Sequence, residues 1–533
     1  MTTHNIAFTA SHFSATEAGI NILKQGGTAT EAMVAAAAAI SVVYPHMNSI
    51  GGDSFWLIDN PNQKTPTAID ACGRAATNTT PYNSLAQIPE RGGLSALTQA
   101  GTIRGWQKAL ELDEHAALPL SQILAPAIEL AREGFTVTKS LQAGCEKLAT
   151  ANNTNEAFKS LYIPNGKPLQ AGQHFKNPKL AATFEYLAKH GLNAFYEGAL
   201  ANSFAADLAK AGSSITAGDI ANTKAEVVTA LNANLSGINC YNLPAPTQGV
   251  HSLQIIGAVN KLKHLAKTDA DWTHLIVEAT KQSFTHRPTL WADPEALGDD
   301  YKNALTDNRL SELANNIDMS KAKKWPFNAE PGDTVWMAAR DKNGQLVSFI
   351  QSIYWEFGSG ILMSEGGFVW NNRGLSFSLN NEDIDASNNT NALAPNKKPA
   401  HTLNPALAKF SDGRRLAYGT MGGEGQPQTQ AAVFAGYAWR NKSIKQAISD
   451  PRWLLGRTWG DTSTNLKIEK ELVFHIEHEL NQRDHDWVSV DNNNEMMGHA
   501  GAILDTPTSL EAATDPRSDG RATVTTAGTQ CQK

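Results

Sequence analysis

Apolar positions in the first sixty residues follow two helical periods and then switch to alternation. Ala18, Ile22 and Leu23 are spaced to share one helix face, which predicts a helix over residues 14–25. Gly26 and Gly27 end it, and Thr28 is placed to cap a second helix that runs to about Val43 before Pro45 stops it. The apolar run Ala32 to Tyr44 is alanine-rich and too short to span a bilayer, so it reads as a buried helix. A Gly51-Gly52 turn leads into a strand from Ser54 to Ile58, and TAIDACGRAA continues as another strand and loop.

From about residue 100 to 320 the pattern is mostly helical, with polar connections such as TANNTNEA and TDNRLSELANN, and it reads as scaffold. After residue 330 the character turns to β. Val335, Met337 and Ala339 alternate with Trp336 and Ala338, Asp341 to Gly344 form a turn, and Leu346 to Ile350 make a second apolar run, which together predict a hairpin. GGFVWNNRGLSFSL and RRLAYGTMGGEGQPQTQAAVFAGYAW extend the β region, the latter returning to helix through glycines. Between them, NNEDIDASNNTNALAPNKKPA is a long polar loop of the kind that often carries function. A helix-rich first part and a strand-rich second part predict a layered protein containing both elements.

Composition narrows the partners. A formal charge of -7 and a pI near 6.1 give no electrostatic footprint for nucleic acid or an anionic membrane, so a small or neutral partner is expected. The cysteines Cys72, Cys145, Cys240 and Cys531 are scattered without a CxxC pair, which suggests neither a disulfide framework nor a thiolate zinc site. The start has no basic segment followed by an apolar one, so no secretory signal is expected and the location is expected to be cytoplasmic.

The loop GTMGGEGQPQTQ, Gly419 to Gln430, is the most informative chemically. A strand ends at Tyr418, Gly422, Gly423 and Gly425 follow, and Pro427 is placed for the first turn of a helix. Such a loop can aim backbone N–H groups at one point, which suits an oxyanion; one donor of this kind is worth about 10² to 10³ in rate. It lacks the spacing of a dinucleotide or triphosphate loop. There is no GxSxG elbow. His475 and His478 in FHIEHEL read as a solvated helix face without HExxH, and His12, His46, His401 and His499 read as separate, ordinary hydrogen-bonded side chains.

In chain order, ILKQGGTATEAMVAAAAAISVVYPHMNSIGGDSFWLI, GTIRGW, APNKKP, GTMGG and TDPRS resemble landmarks of the γ-glutamyltransferase family of N-terminal nucleophile hydrolases, across nearly the whole chain. The resemblance implies an α+β fold, a four-layer αββα sandwich, made as a precursor that cuts itself between Asp333 and Thr334. Residues 1–333 would form a large subunit and 334–533 a small one, paired as a heterodimer in one folded unit, with further dimerisation left open. The new α-amine of Thr334, with a reference pKa of about 7.7 to 8.0, would act as base for its own hydroxyl. By the same resemblance Ser352 supplies a second hydroxyl, and Gly422 and Gly423 form the oxyanion hole.

The positions at which the family holds a γ-glutamyl group differ here. An arginine, an asparagine, an aspartate and a serine pair are replaced by Cys72, Tyr354, Ser376 and His401-Thr402. Without the aspartate a substrate α-ammonium loses its charge partner, leaving a neutral or cationic pocket in which Arg74 or Arg373 could hold a carboxylate. YPHMNSIGGDSFWLI, IDACG, FIQSIYWEFGSG and NNRGLSFSL are similar to a family branch that acts on oxamate in purine and allantoin breakdown. The expected activity is hydrolysis of a small carboxylate-bearing amide, oxamate to oxalate and ammonia, with neither metal nor cofactor. The alternatives are a γ-glutamyl hydrolase or transferase acting on glutathione-like substrates, an acylase for larger amides including β-lactam side chains, and an uncleaved binding or scaffold protein.

Overall fold

The computed structural model describes residues 5–151, 153–325, 333–379, 389–456 and 463–527. Two antiparallel sheets lie at its centre. The first has seven strands in the order Arg521–Thr526, Asn5–Ala10, Asp333–Arg340, Leu346–Tyr354, Asp53–Asp59, Thr67–Ala71 and Glu226–Val228. The second has six, in the order Leu510–Thr514, Ala500–Asp505, Arg415–Thr420, Ala406–Phe410, Ile238–Asn242 and Leu231–Asn234.

Strand alternation separates the cores, because successive side chains point to opposite faces. Val335, Met337 and Ala339 join a core formed with the helices Phe13–Lys24, Ala29–Val43 and Leu120–Glu133. Trp336 and Ala338 instead pack between the sheets with Phe55, Leu57, Leu407, Ala417 and Ile503. A third core joins the second sheet to the helices Gly249–Leu262, Asp269–Phe284 and Gln426–Trp439. The result is the αββα sandwich. Trp336 fills the space between the sheets because Gly419 and Gly501 face it; a Cβ on either would stand 2.3 or 2.6 Å from the indole.

The early helices form as the pattern predicts. Thr28 and Glu31 make a reciprocal capping box at the start of Ala29–Val43, and Pro427 occupies the first turn of Gln426–Trp439. One expectation fails and one is incomplete. Residues 366–379 contain isolated bridges and one 3₁₀ turn, Arg373–Ser376, rather than strands. The stretch read as helical scaffold contributes three strands, Glu226–Val228, Leu231–Asn234 and Ile238–Asn242, to the two sheets. Pro331, Gly332, Cys531 and residues 380–388 of the long polar loop lie outside the described residues. Among the described residues, no helix is long and apolar enough to cross a membrane.

Candidate active site

Thr334 is the second residue of Asp333–Arg340 and is almost wholly buried. The neighbouring strand changes register beside it. Gln351 pairs with Val335 and Tyr354 with Asp333, so Ser352 and Ile353 together oppose Thr334. This is a β-bulge, a device that bends a strand and re-aims side chains at its end. The hydroxyl of Ser352 accepts the Tyr354 N–H at 2.8 Å. Tyr354 leaves the bulge at φ +82, a left-handed conformation that is costly for a bulky residue.

The glycine loop approaches from the second sheet. After Thr420, Gly422 and Gly423 take φ values of +119 and +52, and the chain turns into Gln426–Trp439. The amide of Gln426 then lies 3.5 Å from the Thr334 hydroxyl. Thus residues far apart in the chain meet at the end of the strand that carries Thr334.

A buried polar network continues from this loop. Gln248 donates to the carbonyls of Gly423 at 2.8 Å and Thr402 at 2.6 Å. The Thr402 hydroxyl accepts from Arg373 at 3.0 Å, and the Ala400 carbonyl accepts from Arg373 at 2.7 Å. The Arg373 guanidinium carbon stands 3.6 Å from the centre of the Tyr354 ring, a cation–π stack. Arg287 pairs with Glu424, the residue after Gly423, and stacks on Phe284 and Trp291. Arg287, Glu424, Tyr354, Ser376 and Ala400 line a cavity of about 370 Å³.

His401, the neighbour of Thr402, bonds instead to Asp53. Its Nδ1 accepts from the Leu403 N–H, leaving the Nε2 proton to donate to Asp53 at 3.0 Å. The other Asp53 oxygen accepts from the N–H groups of Gly73 and Gly101. Burial pushes the Asp53 carboxyl up to about 7, against those peptide hydrogen bonds, and holds His401 well below its ordinary value. Because Asp53 also pairs with Ser352 in the ladder, this contact pins the bulge to the second sheet's His401-Thr402 segment.

Other expected site residues are placed differently. Arg74 is half-buried, paired with Glu226 at 3.5 Å and Asp293 at 4.0 Å and bonded to the Asn396 carbonyl, so it serves an ion-pair network. Cys72 is buried beside Asp53, with its thiol pushed up by burial. Asp53, Cys72 and His401 are close enough to consider a metal, as are His274, Glu278 and His485. Hydrogen bonds already account for both groups. Both Glu278 oxygens are engaged, by Lys281 and the Lys323 N–H, and His274 bonds to His485 at 2.8 Å. His475 and His478 are exposed on Lys470–Gln482. His12 and His46 are buried and hydrogen-bonded, to the Ser14 N–H and the Ser140 hydroxyl, whereas neither ring nitrogen of the buried His499 has a hydrogen-bond partner among the described residues.

Sequence reasoning missed Gln426, Gln248, Arg287, Glu424 and Asp53. Gln426 and Glu424 were inside the glycine loop already singled out. The other three carried no local signal.

The sequence model of the gamma-glutamyltranspeptidase family matches residues 15–525. The chain belongs to this family. It is 44% identical over 533 residues to an oxamate amidohydrolase proenzyme of Klebsiella pneumoniae, covering 98% of each chain. It is 34% identical to a glutathione hydrolase-like proenzyme of Bacillus subtilis, covering 96% of this chain and 97% of that one. A crystal structure of a cephalosporin acylase from Bacillus halodurans superposes with a TM-score of 0.87 at 28% identity, covering 98% and 96% of the two chains. The αββα architecture is that of the N-terminal nucleophile hydrolases, and the family member described here is a self-processing enzyme of that class.

Proposed function

We propose that the chain cleaves itself between Asp333 and Thr334 and then hydrolyses a small carboxylate-bearing amide, with oxamate as substrate. The observation that carries this reading is the buried Arg373 guanidinium, stacked on Tyr354 two residues beyond the Ser352 bulge. The guanidinium is held by the Thr402 hydroxyl and the carbonyl of Ala400, directly behind the cavity residues Tyr354 and Ala400, and a buried guanidinium favours a carboxylate. Among the described residues, the one carboxylate lining the cavity is Glu424, and Arg287 pairs with it, which argues against a substrate ammonium there. The end-to-end likeness to an oxamate amidohydrolase proenzyme supports the same substrate.

In this reading the α-amine of Thr334 takes the hydroxyl proton as Oγ attacks the amide carbon. The N–H groups of Gly422 and Gly423 stabilise the oxyanion, and Gln426 fixes the hydroxyl before attack. The C–N bond breaks, its electron pair takes a proton from the amine, and ammonia leaves. Water then resolves the oxalyl ester, giving oxalate and regenerating Thr334. The residues 1–333 and 334–533 remain together as large and small subunits, because the nucleophile strand is paired on one side with Asn5–Ala10 and on the other with Leu346–Tyr354.

The test combines intact mass with product release. Wild type should appear as two fragments and release ammonia from oxamate without releasing glutamate from glutathione. Thr334→Ala should remain one chain of 57.3 kDa and be inert. Cleaved wild type that releases glutamate from glutathione and ignores oxamate would replace this substrate with a γ-glutamyl one.

A further inference from the structure

Gly422 and Gly423 have no Cβ to restrict them, so the directions of their peptide groups depend on hydrogen bonds. Each peptide is planar, and fixing a carbonyl fixes the N–H that follows it. Three successive carbonyls of the glycine loop are fixed. The Met421 carbonyl accepts from the Thr420 hydroxyl at 2.8 Å, and the Gly422 carbonyl accepts from the Gly425 N–H at 2.8 Å. Both of those bonds are made inside the loop. The third carbonyl, that of Gly423, accepts at 2.8 Å from Gln248, which comes from another element.

Gln248 is fully buried at the start of the helix Gly249–Leu262. Its main chain is anchored there. The Gln248 carbonyl accepts from the N–H groups of His251 and Ser252 at 3.0 and 3.3 Å, and the preceding Thr247 forms a β-bridge with His401. Both ends of the side-chain amide are engaged. The nitrogen donates to the Gly423 and Thr402 carbonyls, and the oxygen accepts from Arg287 at 3.4 Å. These partners fix the orientation of the amide, since a flipped side chain would set its oxygen against two carbonyls and its nitrogen against a guanidinium.

The three partners are parts that the proposed reaction has to hold in register. Gly423 belongs to the oxyanion loop, and two residues that follow it, Glu424 and Gln426, meet Arg287 and the Thr334 hydroxyl. Thr402 accepts from Arg373 through its own hydroxyl, so it carries the guanidinium assigned to the substrate carboxylate. In oxamate the carboxylate and the amide carbonyl are on adjacent carbons. An anchor and an oxyanion site that drift apart cannot serve both at once.

We infer that Gln248 is a positioning residue that locks the oxyanion loop to the wall carrying Arg373, and so sets the separation between the oxyanion donors and the carboxylate anchor. It acts through Gly423 and Thr402 rather than on the reacting atoms. Its kinetic signature rests on the oxamate reading above, and the test separates the two.

Gln248→Met keeps the length of the side chain and removes both donors. On oxamate the mature variant should lose about 10- to 100-fold in kcat, with KM raised by about threefold or more. A role in stability alone would lower the yield of folded enzyme and leave KM unchanged. Combining Gln248→Met with Arg373→Lys sharpens the reading. Because both changes disturb one wall, the double variant should retain a kcat/KM about threefold or more above the value expected if the two losses multiplied. Losses that simply multiply, or wild-type kinetics in Gln248→Met, would overturn the role. The second arm needs neither maturation nor substrate. Crystal structures of Thr334→Ala with and without Gln248→Met should differ in the direction of the Gly423 carbonyl, and an unchanged loop would overturn the inference. Gln248→Glu, which has the same shape but presents an acceptor in place of the donors, takes over both arms if Gln248→Met does not fold. If wild type ignores oxamate, the substrate reading fails and the crystal comparison alone decides the role of Gln248.

Discussion

At the residue scale, the two arginines offered by the sequence are separated by their surroundings. Arg373 is buried, stacked and bonded through two nitrogens, whereas Arg74 is half-buried among Glu226, Asp293 and Asn396. Arg373→Lys keeps the charge but loses the planar stack and the paired hydrogen bonds. Its KM for oxamate should rise on the order of tenfold, while Arg74→Lys should change it less than about threefold. Steady-state kinetics on the two cleaved variants would check this, and equal effects would remove Arg373 from the site. Thr334 itself was legible only through the family resemblance, since locally it is a β-branched residue starting a strand. Gln426, Glu424 and Gln248 were not legible as partners because their contacts at the site, Thr334, Arg287 and Gly423, lie 92, 137 and 175 residues away. A pairing of that kind is set by the stacking of the sheets and leaves no local pattern.

At the element scale, the bulge is held from behind by a glycine. A Cβ on Gly52 would stand 2.0 Å from the Ser352 carbonyl oxygen, a backbone atom fixed in the ladder with Asp53. Gly52→Ala must therefore push the bulge away from Thr334. A loss of about 1–3 kcal/mol in stability, with a larger proportional loss of activity, is expected from urea melts and ammonia release on the same sample. An active and fully stable Gly52→Ala protein would show that the bulge is free to move. The hairpin and the capped helices were legible because each is specified by its own residues: alternation at 335–339, and the Thr28–Glu31 box. The failure at 366–379 has the opposite cause. Phe368 and Trp370 alternate like a strand, but the segment is held by scattered contacts, such as Asn371 N–H to the Gly51 carbonyl, rather than by a neighbouring ladder. The strands at 226–242 were missed because they are short and partly exposed, so their alternation is weak.

At the scale of the whole molecule, burial of titratable groups sets how stability responds to pH. Burial lowers His12, His274 and His499 to about 4 and His46 and His485 to about 3. In the unfolded chain each returns to about 6.5. Between those values the unfolded chain binds protons that the folded one refuses, so each ring contributes stability that is present above pH 6.5 and lost as the pH falls towards 4. Asp53 and Glu356, raised to about 7 by burial, act in the opposite sense, because the folded chain keeps protons that the unfolded one releases above about 4. Five rings against two carboxyls leave a net uptake of about three protons on unfolding near pH 5.5, and His251 and His401, lowered further, add to it. Stability should therefore fall as the pH is lowered from 6.5 to 5. The groups near His12, His46 and His499, namely Tyr44, Lys147, Arg452, Glu495, Asp515, Arg517 and Asp519, modulate this without reversing it, since burial is the leading cause for each of the three rings. Urea melts at half-unit steps would show the slope, and His499→Leu should make it shallower by about one proton. A flat profile in wild type would mean that protons enter the folded core at low pH, and a slope unchanged in His499→Leu would mean that the His499 ring is solvated in the folded chain rather than held neutral by burial.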